Sequence, residues 1–119
     1  MATTGPATAA GDAEAGKAAF ATTCGVCHQV GPDAQAVVGP PLTGVVGNKA
    51  ASHEGFAYSE GMKKLGEEGY VWTPENIDAF IADPKALLPE SPMSLGLPNG
   101  VPDAATRANI IAYLKTFSQ

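Results

Sequence analysis

Two cysteines and a histidine stand together in this chain as Cys24-Gly25-Val26-Cys27-His28. The spacing Cys-x-x-Cys-His lets two thiols bond to the two vinyl groups on one edge of a porphyrin while the following imidazole reaches the iron. The motif points to one covalently attached c-type haem, with Cys24 and Cys27 as attachment residues and His28 as the proximal ligand. What fills the sixth position of such an iron separates electron transfer from gas binding and catalysis. Met93 is the favoured candidate, because it lies in Pro89-Glu90-Ser91-Pro92-Met93, where proline-restricted φ angles hold a thioether in place. Met62, beside Lys63 and Lys64 on a short helical stretch, reads better as core filler, and His53, in Ala51-Ser52-His53-Glu54-Gly55, as an exposed loop residue. A thioether ligand favours ferrous iron and raises the potential.

The same residues allow two other readings. A thioredoxin-like site carries its Cys-x-x-Cys after a strand, at a helix start, whereas here the pair follows a helical stretch and precedes a Gly/Pro-rich loop. A zinc site built from Cys24, Cys27, His28 and His53 has suitable ligand types, but the adjacent Cys27 and His28 would have to bind one tetrahedral ion together. Both cysteines of the chain lie in the motif, so none is left for a structural disulfide.

The chain has 119 residues, 14 of them Gly and 10 Pro. Backbone ordering costs roughly 1–2 kcal/mol per residue, so a small chain of interrupted helices builds a marginal core, to which a buried haem would add apolar mass. Seven Lys and Arg against twelve Asp and Glu leave a formal net charge of −5, which argues against nucleic acid, whose backbone demands clustered cations. No segment approaches the roughly 20 apolar residues of a membrane span. Residues 1–10 lack the charged and apolar regions of a signal peptide. They read as a flexible tail or the remnant of a linker, with residues 11–119 as the domain. Covalent haem attachment is an export-side chemistry, so a natural precursor should carry a signal sequence or a membrane anchor.

No period-two alternation is long enough to argue a sheet, and the expected class is all-α. Asp12 reads as the N-cap of a helix that reaches Thr23 and delivers Cys24 at its end. Gly16 within it costs about 1 kcal/mol relative to Ala, which implies close approach of another element. Residues 31–47 read as loop, and Ser59 as the cap of a short helix through Leu65 that stops at Gly66. Thr73 followed by Pro74 is the clearest helix start; Ile77, Phe80 and Ile81 then share one face before Asp83-Pro84 ends the helix. Residues 86–101, broken by Pro89, Pro92, Gly96, Pro98 and Gly100, read as a loop. A last helix begins near Asp103 and turns Ala108, Ile111, Ala112 and Leu114 inward, with Tyr113 and Phe117 around its inner side.

From Gly11 to about Ser118 the chain resembles the class I cytochromes c, of the bacterial c2 and membrane-linked types. The resemblance is carried by Gly16 and Phe20, the Cys24 to His28 motif, Gly39-Pro40 with Leu42-Thr43-Gly44, Gly55-Phe56-Ala57-Tyr58-Ser59, Val71-Trp72-Thr73, Asp83-Pro84-Lys85, Met93, and Ile110-Ile111-Ala112-Tyr113-Leu114-Lys115. It implies short helices and loops wrapped around one covalent haem c, first and last helices crossing near Gly16 with Tyr113 and Leu114 opposite, and His28 and Met93 as axial ligands. It implies further that Pro40 offers its carbonyl to the outer ring N–H of His28. Tyr58, Ser59 and Trp72 would donate hydrogen bonds toward the haem propionates, whose burial is otherwise costly. Ser91 stands where the family usually has threonine. Plain aromatic packing is the competing reading for Tyr58 and Trp72. The chain departs from the family pattern at Asn48, often an arginine near a propionate, at Phe80, often tyrosine, at Leu95, often aromatic, and at Pro92, often lysine.

The function so implied is a monomeric one-electron carrier that transforms no substrate. Its partners would be a donor of the quinol–cytochrome c reductase type, or photosynthetic equipment, and a terminal oxidase or reductase as acceptor. The acidic composition departs from the basic mitochondrial carriers and favours a bacterial periplasm. Between Ala86 and Val101 only Glu90 is charged, so the haem rim is expected to be apolar and electron transfer to vary weakly with ionic strength. Lys49 and Lys85 remain as a small local patch. Two alternatives stay open: a haem-based sensor or small-ligand binder with a labile Met93, and a haem domain of a larger anchored complex.

Overall fold

Asp12 sits in extended backbone and accepts from the amides of Glu14 and Ala15, which sets the start of α1, Ala13–Thr23. The computed structural model describes residues 11–53 and 55–117; the tail expected over residues 1–10, Glu54 of the His53 loop and Ser118 lie outside them. After α1 come α2 (Glu60–Glu67), α3 (Pro74–Ala82), α4 (Pro84–Leu87), α5 (Pro92–Gly96) and α6 (Ala104–Lys115). Extended pairing among the described residues is confined to a bridge between Lys49 and Val71, flanked by Trp72 N–H to Asn48 O and Ala50 N–H to Tyr70 O, both 2.8 Å. The class is therefore all-α. No helix of the described residues is long and apolar enough to cross a membrane.

The first and last helices form the most extensive helix contact. A Cβ on Gly16 would overlap the Asn109 carbonyl and come within 3.0 Å of Tyr113 Cβ. That close approach is the reason a residue costly to a helix interior stands there. The crossing is thus at Gly16, with Asn109 and Tyr113 as the facing residues, while Leu114 turns into the apolar cluster of Phe20, Val101 and Ile110. Asp12 N–H also donates to Asn109 Oδ1 at 2.8 Å, which fixes the register of the two helices.

Two local expectations need correction. Gly66 does not end α2, which runs on to Glu67. Gly66 is instead the small residue that lets α2 lie against Ala50, since a Cβ would stand 2.6 Å from the Ala50 carbonyl. The helix stops at Gly69, whose φ of +82° breaks the helical turn. The stretch 86–101 is likewise not all loop. Pro84 and Pro92 each open a short helix at a first-turn position, where proline presets φ and its missing N–H would have had no helical partner. Residues that break a helix interior thus start two new ones.

A second apolar cluster gathers Ala50, Trp72, Ile77, Phe80, Ile81, Leu88 and Ile111, with Met62 and Met93 packed against it. Helix α6 serves both clusters, offering Ile111 to one and Ile110 and Leu114 to the other. It thereby joins the α1 side, which bears the Cys24 to His28 turn, to the α3 to α5 side, which bears Met93.

Candidate functional site

The cysteine–histidine motif closes as one tight turn at the end of α1. Cys24 caps the helix, its N–H donating to Phe20 O at 2.8 Å, and its own carbonyl accepts from Cys27 N–H at 3.0 Å and His28 N–H at 2.9 Å. Both thiols are free and half-buried. Burial, with Cys27 adding, pushes the Cys24 thiol up to about 11, so at neutral pH it carries its proton. No group of three or more His, Cys, Asp or Glu among the described residues is placed to hold a metal ion, which leaves the zinc alternative without a ligand cluster. The thioredoxin alternative lacks its strand among the described residues.

His28 is held from one side. Its Nδ1 lies 2.8 Å from Pro40 O; with the proton on Nδ1 the ring donates this bond, and Nε2 keeps its lone pair. Burial lowers the imidazole's proton affinity, and the Pro40 contact partly offsets it, so the ring is in the neutral form a metal requires. Gly39 backs the ring. A Cβ there would overlap Cε1 and stand 2.7 Å from Nδ1. The glycine cannot retreat freely, because its N–H donates to Cys27 O at 2.7 Å and its carbonyl accepts from Val37 N–H at 3.0 Å. Thr43 locks the same loop from below, its Oγ1 accepting from Gly31 N–H and donating to Gly31 O, both at 2.8 Å. The ring-backing role of Gly39 is not readable from composition or spacing; only the contact shows it.

Tyr58 and Trp72 are brought together in a cleft of about 310 Å³ whose walls include Val45, Lys49, His53 and Met62. Trp72 is buried. Tyr58 Oη accepts the His53 N–H at 2.9 Å, which leaves the phenolic hydrogen free to donate. Burial raises the Tyr58 hydroxyl above its ordinary range, so that hydrogen is retained. The cleft brings the Tyr58 hydroxyl and Lys49 together with the apolar Val45, Met62 and Trp72, a donor set that fits the carboxylate end of a porphyrin. His53 is exposed, as expected, yet it lines this cleft and orients Tyr58 through its backbone. Ser59 lies outside the cleft walls and accepts from Met62 N–H at 3.3 Å as the cap of α2. Asn48 uses its side-chain oxygen locally, accepting from Lys49 N–H at 2.9 Å.

Met93 occupies the first turn of α5 and is half-buried against the cluster that holds Trp72 and Phe80. Two buried serines fix the turn around it. Ser91 Oγ accepts from Met93 N–H at 3.2 Å, and Ser94 Oγ donates to Leu88 O at 2.5 Å. Beyond them Leu95 is 76% exposed, and near the cysteines Val26 is 75% exposed and Val38 61%. Exposed apolar side chains thus stand both near the cysteine–histidine turn and on the Met93 segment. Lys85 is not a free charge on it, since its Nζ lies 3.3 Å from Asp83 Oδ1 and 2.8 Å from Pro98 O.

An all-α fold with crossed terminal helices, a haem-attachment turn and a backed imidazole defines a covalent haem protein. The family model for cytochrome c matches residues 13–118. Cytochrome c2 iso-1 of Rhodospirillum centenum is 42% identical over 118 residues, covering 91% of this chain and 98% of that protein. Cytochrome c-type cyt cy of Rhodobacter capsulatus is 47% identical over 112 residues, 93% of this chain but 52% of the relative, so the chain spans about half that protein's length. Among solved structures, cytochrome c2 of Rhodospirillum centenum superposes with a TM-score of 0.76 at 39% identity, covering 92% of this chain and all of that one. Cytochrome cH from Methylobacterium extorquens follows with a TM-score of 0.75 at 40% identity, over 89% of this chain and 99% of that one. The chain belongs to the cytochrome c family. It is a class I carrier of electrons whose cofactor is covalent haem c.

Proposed function

We propose that this chain is a His28/Met93-ligated one-electron carrier of the bacterial periplasm. The bound haem supplies a one-electron ferric–ferrous couple. The observation that supports the reading is the 2.8 Å contact of His28 Nδ1 with Pro40 O, which fixes the ring and leaves the Nε2 lone pair as the ligand. Cys24 and Cys27 hold the porphyrin edge, while Met93, fixed by Ser91, offers its thioether from α5. Tyr58 and Trp72 take the propionate end, Tyr58 through the hydrogen left free by its bond from His53, while Ser59, expected there too, caps α2 beside them. With both ligands retained, little reorganises on electron transfer and no substrate need be transformed.

The chain works, in this reading, as a monomer between a quinol-oxidising or photosynthetic donor and a terminal oxidase or reductase. It is free in the periplasm or joined to an anchor, and the second form draws support from a relative twice as long. Carbon monoxide added to the reduced protein tests the ligand set. An unchanged visible spectrum is expected; a rapid shift to a carbonyl-haem spectrum would show an open sixth position and move the assignment to a sensor or ligand binder.

A further inference from the structure

Helix α5 has few helix partners, although Met93 packs against the Trp72 cluster and Ser94 is buried. Among the described helices it touches only the short α4, and its outer residues Leu95 and Gly96 are exposed. Five residues are too few for a helix to hold its own shape, and the half-burial of Met93 leaves its position to be fixed from outside α5. What defines it is the pair of ends.

The leading end is held by the Ser94 hydroxyl on Leu88 O. The trailing end is held by cations gripping main-chain carbonyls. Arg107 Nη1 donates to Val101 O at 2.8 Å and to Pro102 O at 3.0 Å, while its Nε donates to Asp78 Oδ1 at 2.7 Å. Lys85 Nζ donates to Pro98 O at 2.8 Å. Between these points Val101 N–H reaches Ile81 O at 2.7 Å. Gly100, at φ +63°, lies so close to the end of α3 that a Cβ would stand 2.6 Å from Ile81 O. Arg107 thus ties three parts together: α6, which carries it, α3 through Asp78, and the chain returning from Met93. Its side chain is only 15% exposed, so salt screens these bonds little. Lys85, 56% exposed, is the weaker tie.

We propose that Arg107, aided by Lys85, is a positioning residue for the sixth ligand: it latches the Ser91–Pro102 segment shut and so keeps Met93 on the iron. The inference rests on Met93 being that ligand. Opening of the latch is a local unfolding step that leaves the α1–α6 crossing intact, and an external ligand enters only while the segment is open.

The test is cyanide binding to the haem-loaded ferric protein, in wild type and in Arg107→Gln, Asp78→Asn and Lys85→Met. Amide hydrogen exchange at Leu95 and Leu97, whose N–H groups bond to Ser91 O and Met93 O, is followed in parallel. Arg107→Gln is expected to bind cyanide at least about tenfold faster, the equivalent of one charge-assisted hydrogen bond lost from the closed state. Exchange at both amides should rise with it, with smaller changes in the other two variants. Asp12→Ala, which removes the α1 cap and lowers global stability elsewhere, should leave both readouts near wild type. Cyanide rates within twofold of wild type in Arg107→Gln overturn the proposal, as does an equal acceleration in Asp12→Ala. Should Arg107→Gln fail to fold, unchanged rates in Asp78→Asn and Lys85→Met overturn it equally. The ligand reading is checked apart, on wild type alone: a ferric protein without the thioether-to-iron charge-transfer band lacks the Met93 bond, whatever the variants do.

Discussion

Replacing Gly39 by alanine would press a methyl group into the His28 ring. The new Cβ would stand 2.7 Å from Nδ1 and 3.0 Å from Nε2, well inside van der Waals contact, so one side must yield. If the ring swings away, the Nδ1–H to Pro40 O bond lengthens from 2.8 Å and is lost. If the loop retreats, it gives up the bonds of Gly39 N–H to Cys27 O and of Val37 N–H to Gly39 O. At ~0.5–1.5 kcal/mol per neutral hydrogen bond, the single bond of the first route costs about 0.5–1.5 kcal/mol and the two bonds of the second about 1–3 kcal/mol. At on the order of 5 °C per kcal/mol this lowers Tm measurably in a thermal melt of the haem-loaded protein. The two routes differ in their electronic effect. Loss of the Pro40 acceptor makes the imidazole a poorer donor, disfavours ferric iron and raises the midpoint potential; retreat of the loop lowers Tm alone. Voltammetry and melting on the same sample therefore say which side moved. A Gly39→Ala protein with wild-type Tm and wild-type potential would refute the claim that this glycine backs the ring.

Two further outcomes follow from the surface and from a helix cap. Because Val26, Val37, Val38 and Leu95 are exposed and Lys85 is tied to Asp83 and Pro98, the bimolecular rate with a redox partner should change by less than about threefold between low and moderate salt. A tenfold or steeper fall, as in charge-steered pairs, would sink the apolar-rim account. Asp103 caps α6, and bonds from the Thr106 hydroxyl and N–H, with the Arg107 charge nearby, hold its carboxyl below its ordinary 3.8. A carboxylate with a lowered folded value stabilises fully above its unfolded value and loses that contribution as pH falls through the folded one. Asp103→Asn should therefore show a shallower fall of Tm than wild type below about pH 4, and parallel acid limbs would contradict the assignment.

Much of this protein is local and was legible as such. Asp12, Ser59, Thr73 and Asp103 cap the helices that their positions announce, because an N-cap is satisfied by amides two or three residues away. The haem-attachment motif is legible for the same reason, its reactive groups lying within five consecutive residues. The expectation failed at Gly66 and across residues 86–101. Ala50 selects Gly66 by contact, while Pro84 and Pro92, breakers in a helix interior, sit at the first helical position, where proline is tolerated.

What the amino-acid sequence alone determined is the chemistry available: two thiols and an imidazole at haem spacing, a thioether in a stiff segment, and helices with defined starts. Which atom backs the imidazole, which hydroxyl keeps a hydrogen to donate, and which cation holds Met93's segment closed were decided only in three dimensions. Gly39 and His28 are 11 positions apart, and Arg107 and Asp78 29 apart. Contacts across such separations have no periodicity or spacing to betray them; they exist only once the α1–α6 crossing and the two apolar clusters have brought distant segments to the same place.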